Sequence, residues 1–199
     1  MIVGLLGGVG AGKSTVRRML EDLGAKTVDA DALAHDALES REVRSLLAGW
    51  LGSGYIGADG KVDRKAVASV VFASREKLAE LESCVHPLVL SEIEKKVKDF
   101  EQTSTKGVLV LDVPLLLSSP LASRCDALVF VEAGLGLRRS RVAARGWSDD
   151  ELERREQLQP ALEAKRSAAH HVIDNTGTLE WTRQQVARLY EGWMKHPAA

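Results

Sequence analysis

The sequence predicts an α/β fold, a parallel five-stranded sheet sandwiched between helices in three layers. Three observations predict it. Short, continuously apolar runs recur along the chain and read as buried parallel strands. Stretches with apolar residues at helical spacing lie between them. The first apolar run passes through glycines straight into such a helix and on to a second strand, the opening of a parallel βαβ unit.

The elements follow in order. Ile2-Val3-Gly4-Leu5-Leu6 is the first strand, and Lys13 to Leu23 a helix with Val16, Met19, Leu20 and Leu23 on one face. Gly24 suits its C-terminal cap, and Thr27-Val28 is the second strand, ending at Asp29-Ala30-Asp31. A largely helical stretch runs from Leu33 to Phe100, interrupted by the turn-rich segment Gly52 to Gly60. Pro87 is expected to break a helix near His86. Val108 to Asp112, Ala127 to Val131 and Val172-Ile173 supply the other strands, and Thr178 to Trp193 a closing amphipathic helix. Between the last two strands lies a charged helical region, Arg138 to His170. The long stretch after the second strand exceeds an ordinary crossover. The expected organisation is therefore a single domain over 1–199, with core segments 1–31, 106–135 and 170–199, a helical insertion 32–105, and a lid 136–169.

Bulk properties narrow the function. The 199 residues are 45% hydrophobic and 28% charged, with a net charge of -1, so no basic field favours nucleic acid. The two cysteines, Cys84 and Cys125, form no CxxC pair and read as packed thiols in a reducing compartment. The opening apolar run is too short for a secretory core, and no run approaches the ~20 residues of a membrane span. These features fit a cytoplasmic enzyme.

Gly7-Gly8-Val9-Gly10-Ala11-Gly12-Lys13-Ser14 matches G-x-x-x-x-G-K-[ST]. Glycines let such a loop curl its backbone N–H groups inward around phosphate oxygens, at a helix N-terminus whose dipole also favours anions. Gly10, Ala11, Gly12, Lys13, Ser14 and Thr15 are the nucleotide-binding candidates, with Lys13 on the β- and γ-phosphates and Ser14 on Mg²⁺. This is the P-loop of the P-loop NTPase fold. Asp112, at the end of an apolar strand, is a candidate for the metal or the substrate; a turn aspartate ahead of Pro114 is the alternative. No N-K-x-D segment marks a guanine nucleotide switch. A kinase of small metabolites needs an acceptor pocket and a way to exclude water, which an insertion and a lid provide. Arg141 and Arg145 are expected four apart on one helix face, either closing over the phosphates or belonging to a solvated face offset by Glu151, Glu153 and Glu156.

Taken together, these motifs resemble one family. Gly4 to Val16, Leu23-Gly24 with Val28-Asp29-Ala30-Asp31, Val62-Asp63-Arg64 with Val71-Phe72, His86-Pro87-Leu88-Val89, and Asp112-Val113-Pro114-Leu115-Leu116 are similar, in order, to the dephospho-coenzyme A kinases. Arg141 to Arg145, Arg155 with Gln159, Lys165, and Val172 to Asn175 resemble the family's lid and final strand. The resemblance implies a P-loop kinase core with a helical coenzyme A-binding insertion and a lid. It implies ATP and Mg²⁺, dephospho-coenzyme A as the small-molecule partner, and its ribose 3′-hydroxyl as acceptor. By the same resemblance Asp31 is the candidate base, with Lys13 and Arg145 acting on the transferring phosphate, Arg141 and Asn175 on the nucleotide, and Asp31, Arg64, His86 and Asp112 on the acceptor. Asp31 has a second reading as the N-cap of the following helix, and His86 as a capping or hydrogen-bonded residue beside a helix break. Another P-loop kinase and a non-catalytic ATP sensor are the competing functions. The chain departs from the family at Leu117-Ser118, where Phe-Glu is usual, at Arg138, commonly glutamine, and at Ala169-His170, usually Ala-Asp. These departures bear on acceptor and metal contacts more than on reaction class.

Overall fold

A computed structural model describes residues 1–103 and 106–195, the side chain of Phe72 aside. Residues 104–105 of the expected insertion, residues 196–199 of the expected core, and the Phe72 side chain lie outside the described residues. The chain divides into two compact units, Met1–Asp29 with Val97–Ala199, and Ala30–Lys96.

The elements in chain order are β1 (Ile2–Gly7), α1 (Lys13–Asp22), β2 (Lys26–Asp29), α2 (Ala30–Ala37), α3 (Arg41–Leu51), α4 (Arg64–Ala73) and α5 (Arg75–Thr103). They continue with β3 (Leu109–Asp112), β4 (Ala127–Glu132), α6 (Leu135–Ala143), α7 (Asp149–Gln157), α8 (Leu162–Ser167), β5 (His171–Asp174) and α9 (Leu179–Lys195).

In the first unit, all five strands are parallel in the order β2-β3-β1-β4-β5. β1 is central and buried along its whole length, pairing Val3 with Val110 on one side and Leu5 with Val129 on the other. Continuous apolar runs form such strands because both faces are covered. The connection leaving β1 runs toward β2, and that leaving β4 runs toward β5, on the opposite side. The order therefore reverses between β1 and β4, and the carboxyl ends of strands at such a point open a crevice for ligands. Val16, Met19 and Leu20 of α1 and Val186 and Trp193 of α9 join Val3, Leu5, Val110, Val129 and Ile173 in one core. Leu179, at the start of α9, stays outside it at 61% exposure.

Local signals set the helix ends. Gly24 follows α1 with φ 101, and Ala25 N–H donates to the Leu20 carbonyl and Gly24 N–H to that of Glu21, a Schellman closure. Ser148 caps α7 by accepting from Glu151 N–H at 3.2 Å, and Asp149, Asp150 and Glu151 sit favourably in its first turn.

The second unit has its own core, Val43, Leu47, Val62, Val67, Val71, Leu81 and Val85. Asp63 caps α4 by accepting from Lys65 and Ala66 N–H. The expected helix break at Pro87 does not occur. α5 continues from Arg75 to Thr103 with Pro87 inside it. Proline removes one ladder bond, that to the Ser83 carbonyl, and the rest of a long helix carries the turn. Among the described residues, no helix is long and apolar enough to cross a membrane. Both cysteines are free and half-buried, and burial beside Asp126 pushes the Cys125 thiol up to about 11.

Candidate nucleotide site

β1 ends at Gly7 and α1 begins at Lys13, so the glycine loop lies at the carboxyl edge of the central strand, beside the point where strand order reverses. Two glycines are required by geometry. Gly10 has φ 77, and a Cβ there would stand 2.9 Å from the Arg138 carbonyl. Gly12 has φ 97, and its Cβ would fall inside the Asn175 amide. The Lys13 ammonium arches back over the loop, 3.5 Å from the Gly7 and Gly8 carbonyls. Ser14 and Thr15 follow, half-buried in the first turn of α1.

Residues far along the chain brace the loop from behind. Asn175, 2% exposed, donates from Nδ2 to the Ala11 carbonyl at 2.7 Å and accepts from the Thr182 hydroxyl at 2.9 Å. Arg141 donates to the same Ala11 carbonyl at 2.9 Å and to the Asn175 carbonyl at 2.9 Å. Burial, and then the neighbouring charge of Arg145, lowers the Arg141 pKa. Arg141 and Asn175 thus meet at the loop. Their contact is with its backbone, a role that helical spacing could not reveal.

Arg145 is not on the same helix face as Arg141, because α6 ends at Ala143. Gly146, with φ 80, turns the chain, and Arg145 is exposed in that turn. The neighbouring charges divide in two. Arg139 pairs with Asp149 and Glu153 on the solvated face, while Arg138 is 5% exposed and ion-paired with Glu156. Arg138 Nη1 also lies 3.5 Å from the Val9 carbonyl. Arg138 therefore stands beside the loop itself. Lys165, 3% exposed on α8, donates to the Gly7 carbonyl at 3.3 Å and to Gln159 Oε1 at 2.6 Å.

At the acidic end, Asp29 and Asp112 face each other in register at the last positions of β2 and β3. Arg17 on α1 bridges them, with Nη2 2.9 Å from Asp29 and Nε 3.5 Å from Asp112, and also pairs with Glu21 at 2.8 Å. Sequence reasoning missed Arg17. Its signal, a basic residue one turn after the P-loop lysine, becomes legible only when the strands are set side by side.

The remaining candidates belong to the helical unit. Asp31 is exposed in the first turn of α2, which begins one residue earlier, at Ala30. It is therefore not the N-cap, and β2 stops before reaching it. Arg64 is exposed at the first position of α4. His86 is exposed within α5, so it neither caps a helix nor hydrogen-bonds beside a break.

The departures also find their places. Ser118 is exposed in a 3-10 turn, Leu116–Ser118. His170 accepts from Leu128 N–H through Nδ1 at 2.9 Å, at the amino edge of the sheet, opposite the loop. It finishes the β4 edge rather than lining the nucleotide site.

The family model described as dephospho-CoA kinase matches residues 1–180. A dephospho-CoA kinase of Carboxydothermus hydrogenoformans is 38% identical over 195 residues, covering 96% of this chain and 94% of its own length. The solved dephospho-CoA kinase from Campylobacter jejuni superposes with a TM-score of 0.74 at 22% identity, covering 98% of this chain and 97% of that one. A shikimate kinase from Acinetobacter baumannii gives a TM-score of 0.52 at 18% identity, covering 100% and 95%. The last two establish the shared P-loop fold.

Proposed function

Since this chain belongs to the dephospho-CoA kinase family, we infer that it transfers the terminal phosphoryl group of ATP to the ribose 3′-hydroxyl of dephospho-coenzyme A, giving coenzyme A and ADP. The observation that carries the reading is a phosphate loop with its lysine arched over it, at the carboxyl edge of β1, in a chain that matches the family model over residues 1–180. The alternatives were another P-loop kinase and an ATP sensor, and the family match favours the first reading over both.

The roles follow from chemistry. The backbone N–H groups of Gly10, Ala11, Gly12, Lys13, Ser14 and Thr15 take the phosphate oxygens at the start of α1. Lys13 neutralises charge that grows on the bridge oxygen as the terminal phosphoryl group leaves. Ser14 and Asp112 offer a hydroxyl and a carboxylate, the hard oxygen donors that Mg²⁺ takes alongside substrate phosphates. The ion, when bound, draws charge from the phosphate oxygens. Arg17, 3.5 Å from Asp112, orients that carboxylate. Arg145, exposed beyond α6, supplies a further cation from a lid over 136–169. Asp31 takes the proton of the attacking hydroxyl, and Arg64 and His86 in the helical unit hold the acceptor. Asp29, paired with Arg17, is the less suited base. A cytoplasmic location fits the two free thiols.

The test is direct. ATP, Mg²⁺ and a panel of acceptors are incubated with the protein, and the phosphorylated product is identified by mass. Dephospho-coenzyme A should dominate. A preference for AMP or a small alcohol would assign a different kinase, and no transfer to any acceptor would leave a sensor.

A further inference from the structure

Lys165 is a buried cation without an anion. Its residue is 3% exposed, and among the described residues it makes no ion pair. The two acceptors it does have, the Gly7 carbonyl and Gln159 Oε1, are neutral. A neutral amide would satisfy both without the cost of burying a charge. The groups facing Lys165 make that cost larger. Lys13 from α1 and Arg138 from α6 are cations, and Glu156 of α7, the carboxylate that opposes them, is already paired with Arg138. Lysine is almost never this buried unless paired, and its ammonium has three donors, of which two are spent. It also lines a cavity of about 410 Å³ with Glu153, Glu156, Gln157, Pro160, Ala161 and Leu162.

We propose that Lys165 is a second phosphate-binding cation of this site, donating its remaining N–H to an anionic phosphoryl oxygen of the nucleotide held by the loop. The inference rests on the reading of the loop as an ATP site and deepens it. Lys13 and Lys165 both reach the carbonyl that opens that loop, Gly7, at 3.5 Å and 3.3 Å. The unusual cost of the buried ammonium is then met by the ligand. The electrostatics agree. Burial first, then the charges of Lys13 and Arg138, against the opposing effect of Glu156, bring the Lys165 pKa down to about 8. An arriving phosphate anion raises it again. Near pH 8 the site therefore takes up protons as it binds nucleotide, while well below that pH Lys165 is already charged and the uptake vanishes.

The experiment is calorimetric titration of the intact protein with ATP and Mg²⁺ in the absence of acceptor. It is run at pH 8 and pH 6.5, each in two buffers of different ionisation enthalpy so that protons can be counted. At pH 8 the terminal phosphate is itself fully ionised, so uptake reports on the protein. Wild type should take up a fraction of a proton at pH 8 and little at pH 6.5. Lys165→Met should bind ATP roughly tenfold or more weakly, the loss of one charge-assisted hydrogen bond, and lose most of the uptake at pH 8. Lys165→Arg should keep much of the affinity without the uptake, since arginine does not titrate there. Wild-type affinity and uptake in Lys165→Met would overturn the proposal and leave Lys165 as a brace for Gly7. Should Lys165→Met fail to fold, the absence of pH-dependent uptake in wild type would overturn it equally. Proton-linked ATP binding without phosphoryl transfer to dephospho-coenzyme A would sink the kinase reading and leave this one standing.

Discussion

Gly12→Ala tests how the loop is built. The residue has φ 97, and an alanine in that left-handed region costs about 1–2 kcal/mol. Its Cβ would also overlap the Asn175 amide, which must move. That amide makes two hydrogen bonds, to the Ala11 carbonyl at 2.7 Å and from the Thr182 hydroxyl at 2.9 Å. Their loss costs about 1 kcal/mol each. The sum is roughly 3–4 kcal/mol, and at about 2–4 °C per kcal/mol for a chain of this size, Tm should fall by roughly 6–16 °C. Differential scanning calorimetry measures this directly, and ATP titration should show affinity weakened about tenfold or more. Gly49→Ala is the matched comparison. Gly49 lies inside α3 with nothing within 4 Å of an added Cβ, so alanine there should stabilise by about 0.5–1 kcal/mol. A Gly12→Ala protein with unchanged Tm and ATP affinity would refute the claim that Asn175 and this backbone angle set the loop.

Three further outcomes are expected. Lys13→Ala should reduce kcat by about 10²-fold or more with Tm nearly unchanged, since the glycines shape the loop; near-normal turnover would remove Lys13 from phosphoryl transfer. Arg145→Ala should lower kcat while thermal unfolding shifts little, because an exposed arginine contributes little to folding; retained kcat would return it to the solvated face. Asp31→Asn should cost roughly 10²-fold in kcat with calorimetric ATP affinity unchanged, whereas full activity would eliminate Asp31 as the base.

The strands and the loop were legible because their signals are local. Ile2 to Leu6 and Ala127 to Val131 are apolar without interruption, and the glycine spacing before Lys13 has few other uses. The continuity of α5 through Pro87 was not legible. One missing ladder bond is a local penalty, and the packing of Leu81 and Val85 on one side and Ile93 and Val97 on the other is a larger, tertiary reward. The charged segment misled for a similar reason. Along the chain, Arg138 and Arg139 are neighbours with like charge, yet one is buried against Glu156 and the other solvated with Asp149. α6 stops at Ala143, leaving Arg145 in the turn that Gly146 completes, which a four-residue spacing conceals. Arg17 bridges Asp29 and Asp112, and Asn175 reaches Ala11, only after strands distant in sequence are aligned.

The latch between Asn175 and Ala11 joins residues 164 positions apart, and Arg141 reaches the same carbonyl across 130. A ribosome translates the glycine motif long before it reaches the latch. Chains still emerging carry the whole motif but lack the groups that hold it in shape, so nucleotide has nothing organised to grip. ATP in the cell can therefore protect only chains that already extend past Asn175, by mass action. A truncation ending before Asn175 should retain the motif and still unfold at the same temperature with or without nucleotide.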